Sequence, residues 1–166
     1  LLLIEALTSN QTSDYINSNL EMQNREKICA SILYQAPTQK EGYEIIHNIK
    51  LGNVSNEFIQ FCNSIGNMSN EYISWENFQF LIELNFDDLK SICIIWNDDN
   101  ADFNPNILNT EDVKIYIVIK RINKFLLKFT IIENKIFHHL IIPKSISGAI
   151  LRFYVIHLNN KIKGLS

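Results

Sequence analysis

Apolar positions along the chain fall into short blocks whose spacing predicts alternating kinds of element. From Ser13 to Tyr34, Ile16, Leu20, Ile28, Ile32 and Leu33 form a broken stripe at helical spacing, with Asp14 as N-cap and Pro37 as the stop. Glu41 to Leu51 predicts a second helix, with Tyr43, Ile46 and Ile49 on its apolar face and Gly52 beyond its end. Ser55 to Ile65 predicts a third, burying Phe58, Ile59, Phe61, Cys62 and Ile65 and closing at Gly66. Ser69 is a candidate cap for a fourth, where Tyr72, Trp75, Phe78, Leu81 and Ile82 recur every three or four positions. Leu89 to Ile95 follows the acidic pair Asp87-Asp88 and suits either a capped helix or a short buried strand, because periodicity does not separate the two over so few residues.

After a polar loop from Asn97 to Asn109 the pattern changes. Val113, Ile115, Ile117 and Ile119 alternate with Lys114, Tyr116, Val118 and Lys120, which suits a strand, although Glu111-Asp112 would also open a helix. Phe125, Leu127, Phe129 and Ile131 predict a second strand, and Glu133-Asn134-Lys135 a tight turn. Ile136 to Ile142 is the return strand, and Pro143 ends it. Ser145 then caps a helix from Ile146 to Leu158. The expected fold class is α+β: an acidic, mainly helical part over residues 1–110, then a basic strand-turn-strand-helix unit over residues 111–166.

Charge divides at the same place. Up to Thr110 there are 5 Lys and Arg against 15 Asp and Glu; beyond it there are 10 against 3. The formal net charge of -3 therefore conceals an acidic front and a basic tail. Such asymmetry points to an acidic partner for the basic part, or to two halves that face each other. The cations available for an acidic partner are Lys120, Arg121, Lys124, Lys128, Lys135, Lys144, Arg152, Lys161 and Lys163. Phosphate neutralisation by that set predicts salt-dependent binding of DNA or RNA with little sequence preference.

Composition narrows the classes. With 46% hydrophobic residues, 5 Gly and 3 Pro, the chain can bury a core and is not built of linkers. It opens on Leu1 rather than Met, as a fragment or processed product would. Leu1-Leu2-Leu3-Ile4 is interrupted by Glu5, and no apolar run is long enough for a membrane span, so an intracellular protein, cytoplasmic or nuclear, is expected. Cys29, Cys62 and Cys93 are widely spaced and odd in number, which favours reduced, buried thiols. Asn10, Asn53 and Asn67 begin sequons, a number that chance supplies in a chain so rich in Asn, Ser and Thr. Asp98, Asn100 and Asp102 alternate like a calcium loop, yet the sixth and twelfth positions hold Phe103 and Asn109 where Gly and Glu are needed.

Catalytic motifs are missing from the sequence. No GxSxG, P-loop, HExxH or glycine-rich phosphate loop is present. Cys-His chemistry would require one of the three thiols to meet His47 or His157, and no spacing calls for it. Asp87-Asp88, Asp98-Asp99 and Glu111-Asp112 read as caps and loops. No cofactor is expected.

The tail carries a family-like pattern. Phe129 to Phe137, then Leu140-Ile141-Ile142-Pro143-Lys144-Ser145-Ile146, then Ala149 to Tyr154, resembles the start of the integrase of gypsy-class LTR retrotransposons. Glu5-Ala6-Leu7-Thr8-Ser9 resembles the segment that closes the ribonuclease H domain in the same polyproteins. The resemblance implies a piece of such a polyprotein: the ribonuclease H end, a connector and the start of an integrase zinc-binding module, with nucleic-acid association through the basic tail. The family's module binds zinc with two His and two Cys. Here His157 is the one remaining ligand candidate and the Cys pair is absent, so the module is degenerate and non-catalytic as it stands. The alternative is a protein-interaction module of a virus or other pathogen that modulates host proteins and has no nucleic-acid role.

Overall fold

The computed structural model describes residues 27–164. Its centre is one eight-stranded mixed sheet: β1 (Ile28–Gln35), β2 (Asn67–Met68), β3 (Tyr72–Trp75), β4 (Phe78–Leu81), β5 (Ile92–Asn97), β6 (Ile115–Arg121), β7 (Leu126–Glu133) and β8 (Ile136–Pro143). The spatial order is β2-β3-β4-β1-β5-β6-β7-β8. β4, β1, β5 and β6 run parallel, and an antiparallel strand pairs with each side of that block. Helices α1 (Gly42–Leu51), α2 (Asn56–Ile65) and α3 (Ser147–Ile162) cover the faces.

Both faces of the central strands are buried, which explains their composition. On one face Ile32, Phe80, Ile94, Trp96, Ile117 and Phe129 pack with Phe58 and Phe61 of α2 and with Ile150, Leu151 and Val155 of α3. On the other, Leu33, Cys93, Ile95, Tyr116 and Val118 pack with Ile45 and Ile46 of α1 and with Phe103 and Leu108 of the loop after β5. Parallel strands covered on both faces read as continuous apolar runs rather than as alternation.

The expected helical front is corrected accordingly. Within the helix predicted from Ser13 to Tyr34, the described part is strand β1, with seven of its eight residues buried. A fully apolar stretch such as Ile28 to Leu33 contains helical and strand spacings at once. The fourth predicted helix is the β3–β4 hairpin: Phe78, Phe80 and Ile82 alternate inward, and the chain turns at Glu76 with φ 52° and no glycine. Leu89 to Ile95 resolves as the approach to strand β5. The second and third helices stand as α1 and α2. Gly52 takes φ 75° and closes α1, and the Ser55 hydroxyl accepts from the Phe58 N–H at the start of α2.

The strand-turn-strand-helix tail is present, but it is no small separate hairpin. β7 and β8 extend the sheet, and β6 pairs with β5 in parallel across the change of charge near Thr110. Asn134 and Lys135, with φ 51° and 65°, make the turn. α3 then crosses back to pack against α2. The contact is close at Gly148, where a Cβ would come within 2.5 Å of the Ser64 carbonyl oxygen.

The thiols follow from this packing. Cys62 and Cys93 are fully buried and Cys29 is intermediate. Burial pushes the Cys62 thiol up to about 12 and raises Cys93 as well. In the folded protein a thiol reagent such as iodoacetamide is expected to modify Cys29 alone, and all three thiols after denaturation. Mass spectrometry showing Cys62 or Cys93 labelled as fast as Cys29 in native buffer would contradict this packing.

Candidate functional site

In open parallel sheets the carboxyl ends of the strands are where loops leave a crevice. Here those ends bring together Gln35 of β1, Asn97 of β5 and Arg121 of β6. The segment that follows β5 and the β6–β7 turn, with Glu57 of α2 and Lys144 after β8, surround a cleft of about 490 Å³. Its walls carry Glu57, Asp98 and Asp99 on one side and Lys120, Arg121, Lys124 and Lys144 on the other.

The acidic wall is heavily hydrogen-bonded. Asp98 accepts from the Tyr34 hydroxyl at 2.6 Å and from the Trp96 indole N–H at 3.0 Å, and it pairs with Arg121 at 3.3 Å. Burial, and then the bond to Asp98, push the Tyr34 phenol up to about 12, so it stays protonated and donating. Arg121 also reaches Glu57 of α2 at 3.2 Å. Asp99 accepts from the Lys40 ammonium and from the Thr38 N–H, and these hold its carboxyl at about 2. Asn97 braces the turn: its side chain accepts from the Asp99 N–H and donates to the Ala101 carbonyl. The rim is therefore set by side chains that fix one another.

The Asp99 shift has a consequence for acid stability. Its folded value, about 2, lies below the ordinary 3.8, so the stabilisation is present above 3.8 and is lost as pH falls towards 2. Lys40→Met removes the first cause. The stability difference between wild type and Lys40→Met, from urea unfolding, is expected to shrink through that window and to be flat from pH 5 to 7. A difference that grows on acidification would reverse the assignment.

The nine cations expected to bind nucleic acid do not converge. Lys120, Arg121, Lys124 and Lys144 reach the cleft. Of these, Arg121 is held by two carboxylates, and Lys120 donates to the Asn100 and Ala101 carbonyls. Lys124 lies over the Phe125 ring at 5.8 Å. Lys128 lines a separate groove with Thr130 and Phe137, and Lys135 sits in the β7–β8 turn. Arg152 is turned inward: it stacks on Trp75 at 4.2 Å and donates to the Ser64 and Ile65 carbonyls. Lys161 pairs with Glu133 at 2.9 Å, and Lys163 caps the end of α3. His157 is exposed on α3, and among the described residues no group of three or more His, Cys, Asp or Glu could hold a metal ion. Among the described residues, too, no helix is long and apolar enough to cross a membrane. The segment matched to the ribonuclease H end, Glu5 to Ser9, lies outside the described residues.

Sequence reasoning missed the acidic wall. Asp98 and Asp99 do lie in the loop that the sequence predicts, but that loop leaves the carboxyl end of the central strand β5 and lines the cleft. The available signal was an acidic pair directly after the apolar run Ile92 to Trp96.

No protein-family model matches the chain, and no curated protein matches it. Among solved structures it is similar to the TSC2 GAP domain, with a TM-score of 0.61 at 14% sequence identity, over 82% of this chain and 96% of that one. At that identity the likeness speaks to the fold. It overturns the retrotransposon resemblance and the integrase and nucleic-acid roles drawn from it: the hairpin and helix that carried the resemblance are the end of a GAP-domain-like sheet and not a zinc module. The fold this chain shares, across nearly the whole of that neighbour, is the fold of the TSC2 GAP domain.

Proposed function

We propose that this chain is a protein-interaction module whose partner is a small GTP-binding protein, engaged along the charged cleft at the carboxyl ends of β1, β5 and β6. The observation that carries the reading is the fold likeness to the TSC2 GAP domain over 96% of that domain. The cleft supports it in kind. Its charges of both signs are held in place before a partner arrives, and preorganised charge favours specificity and rate of association over raw affinity.

The test is titration of the purified chain against a panel of small GTPases, each loaded with GDP or with a non-hydrolysable GTP analogue, followed by calorimetry. Binding that depends on the nucleotide, and that weakens at least tenfold in Lys124→Glu, is the expected result. GTP hydrolysis recorded alongside separates activation from plain binding. No binding to any member into the high micromolar range would remove the reading.

A further inference from the structure

The two edges of the sheet are treated differently. At one end lies β2, two residues long, too short to template another strand. At the other lies β8, eight residues long and paired with β7 along its whole length, with no strand on its outer side among the described residues. Sheet edges are ordinarily protected by charged side chains, bulges or an internal proline. From Ile136 to Ile142, β8 has none of these: the residues are Ile, Phe, His, His, Leu, Ile and Ile, and proline comes only at the end.

Its exposed side chains are apolar as well. Ile136 is 57%, Phe137 50% and Ile141 49% exposed. Phe137 and Ile141 share a face with His139, whose ring Nδ1 lies 2.9 Å from the Thr130 hydroxyl. Ile136, His138 and Leu140 point to the opposite face, where Leu140 packs against the main core.

We propose that β8 is the interface with a second copy of this chain, the two edges pairing antiparallel about a two-fold axis through His139. The spacing is self-complementary. That axis places Phe137 of each copy opposite Ile141 of the other, so an aromatic meets a β-branched side chain twice on one face. On the other face Ile136 meets Ile142, and His138 meets Leu140. No acidic or basic side chain other than His faces its like across the seam. An isologous contact needs only one patch that complements itself, and this strand supplies one. Eight residues at ~3.3 Å each give a seam of about 27 Å. A seam of that length lies at the low end of the area of specific interfaces, so the dimer is expected to dissociate in the micromolar range. The inference is independent of the GTPase partner, whose cleft is formed by other residues.

The full chain is tested by sedimentation equilibrium over a range of concentrations, with hydrogen exchange of the β8 amides read in parallel. A monomer-dimer equilibrium is expected, with β8 amides that gain protection as concentration rises. Ile141→Lys would set a cation against Phe137 and is expected to raise the dissociation constant at least tenfold, with an unchanged far-UV circular dichroism spectrum. His138→Lys on the other face is expected to act in the same direction. A chain that stays monomeric into the high micromolar range overturns the inference. So does a dimer that Ile141→Lys leaves intact, which would place the interface elsewhere. So do β8 amides protected equally at every concentration, which would mean that a segment of the same chain covers the edge.

Discussion

Trp96→Ala is expected to lower the unfolding free energy by about 3–5 kcal/mol, the usual cost of truncating a large buried aromatic and a large fraction of the roughly 5–15 kcal/mol that holds a domain folded. Trp96 is 0% exposed at the carboxyl end of β5. Its ring meets Phe58 and Phe61 of α2, with centroids 5.9 and 5.1 Å away, and Tyr34 continues the row beside Phe58 at 5.1 Å. Its indole N–H holds Asp98, so one residue joins the main core to the rim of the cleft. Trp96→Phe separates the two roles. It keeps most of the volume and loses one of the donors to Asp98, which retains Tyr34 and Arg121, and should cost roughly 1.5–3 kcal/mol, the range for a hydrogen bond to a charged group. Urea unfolding of the three proteins reads this directly. Equal losses in Trp96→Phe and Trp96→Ala would mean that the hydrogen bond dominates and the ring packing contributes little.

The second large effect is expected at Arg152. Its guanidinium joins α3 to α2 by donating to the Ser64 and Ile65 carbonyls at 3.2 and 2.6 Å, and it covers the Trp75 ring. Desolvation lowers its pKa, in keeping with a cation drawn into the protein. A hydrogen bond to a charged group is worth about 1.5–3 kcal/mol and a cation-π contact about 0.5–2 kcal/mol. Arg152→Ala should therefore cost about 2–4 kcal/mol, with a flexible α3 as the visible result. Arg152→Lys restores the charge and not the forked geometry, so it should recover less than half. A loss below about 0.5 kcal/mol, the ordinary size of a surface substitution, would show the contact to be ornamental.

These two residues also show where the sequence was legible. α1 and α2 carried their own punctuation: Gly52 in the left-handed region after one, Ser55 before the other. The β7–β8 hairpin alternated clearly and turned on an Asn, which tolerates positive φ. β1 and β4 were hidden for two reasons. A strand buried on both faces has no alternation to read, and the Trp75, Phe78, Leu81 spacing imitates a helix. The β3–β4 turn gave no warning, because Glu76 adopts a conformation usually left to glycine or asparagine. For the cleft, sequence supplied the basic wall and counted Arg152 with it. A cation's sign is plain in a sequence, but whether its side chain turns outward or across a helix interface depends on packing. The charge division near Thr110 is real in composition, yet β5 and β6 pair straight across it.

The central position of β1 bears on how the chain is made. β1 is the first described strand, and its partners lie far along the sequence: Ser31 aligns with Leu81 on one side and with Cys93 on the other. β6, β7 and β8 pair with their immediate neighbours and close only short loops. Closing long loops carries an entropic cost before any contact rewards it. On a ribosome, β1 leaves the tunnel well before either of its partner strands and stays unpaired until they follow. Its apolar run must wait for about fifty residues of synthesis for β4 and about sixty for β5, the latter about 3–12 s at about 5–20 residues per second. During that interval Ile28 to Leu33 is the segment most in need of a chaperone, and slowed translation between β1 and β5 would lengthen its exposure.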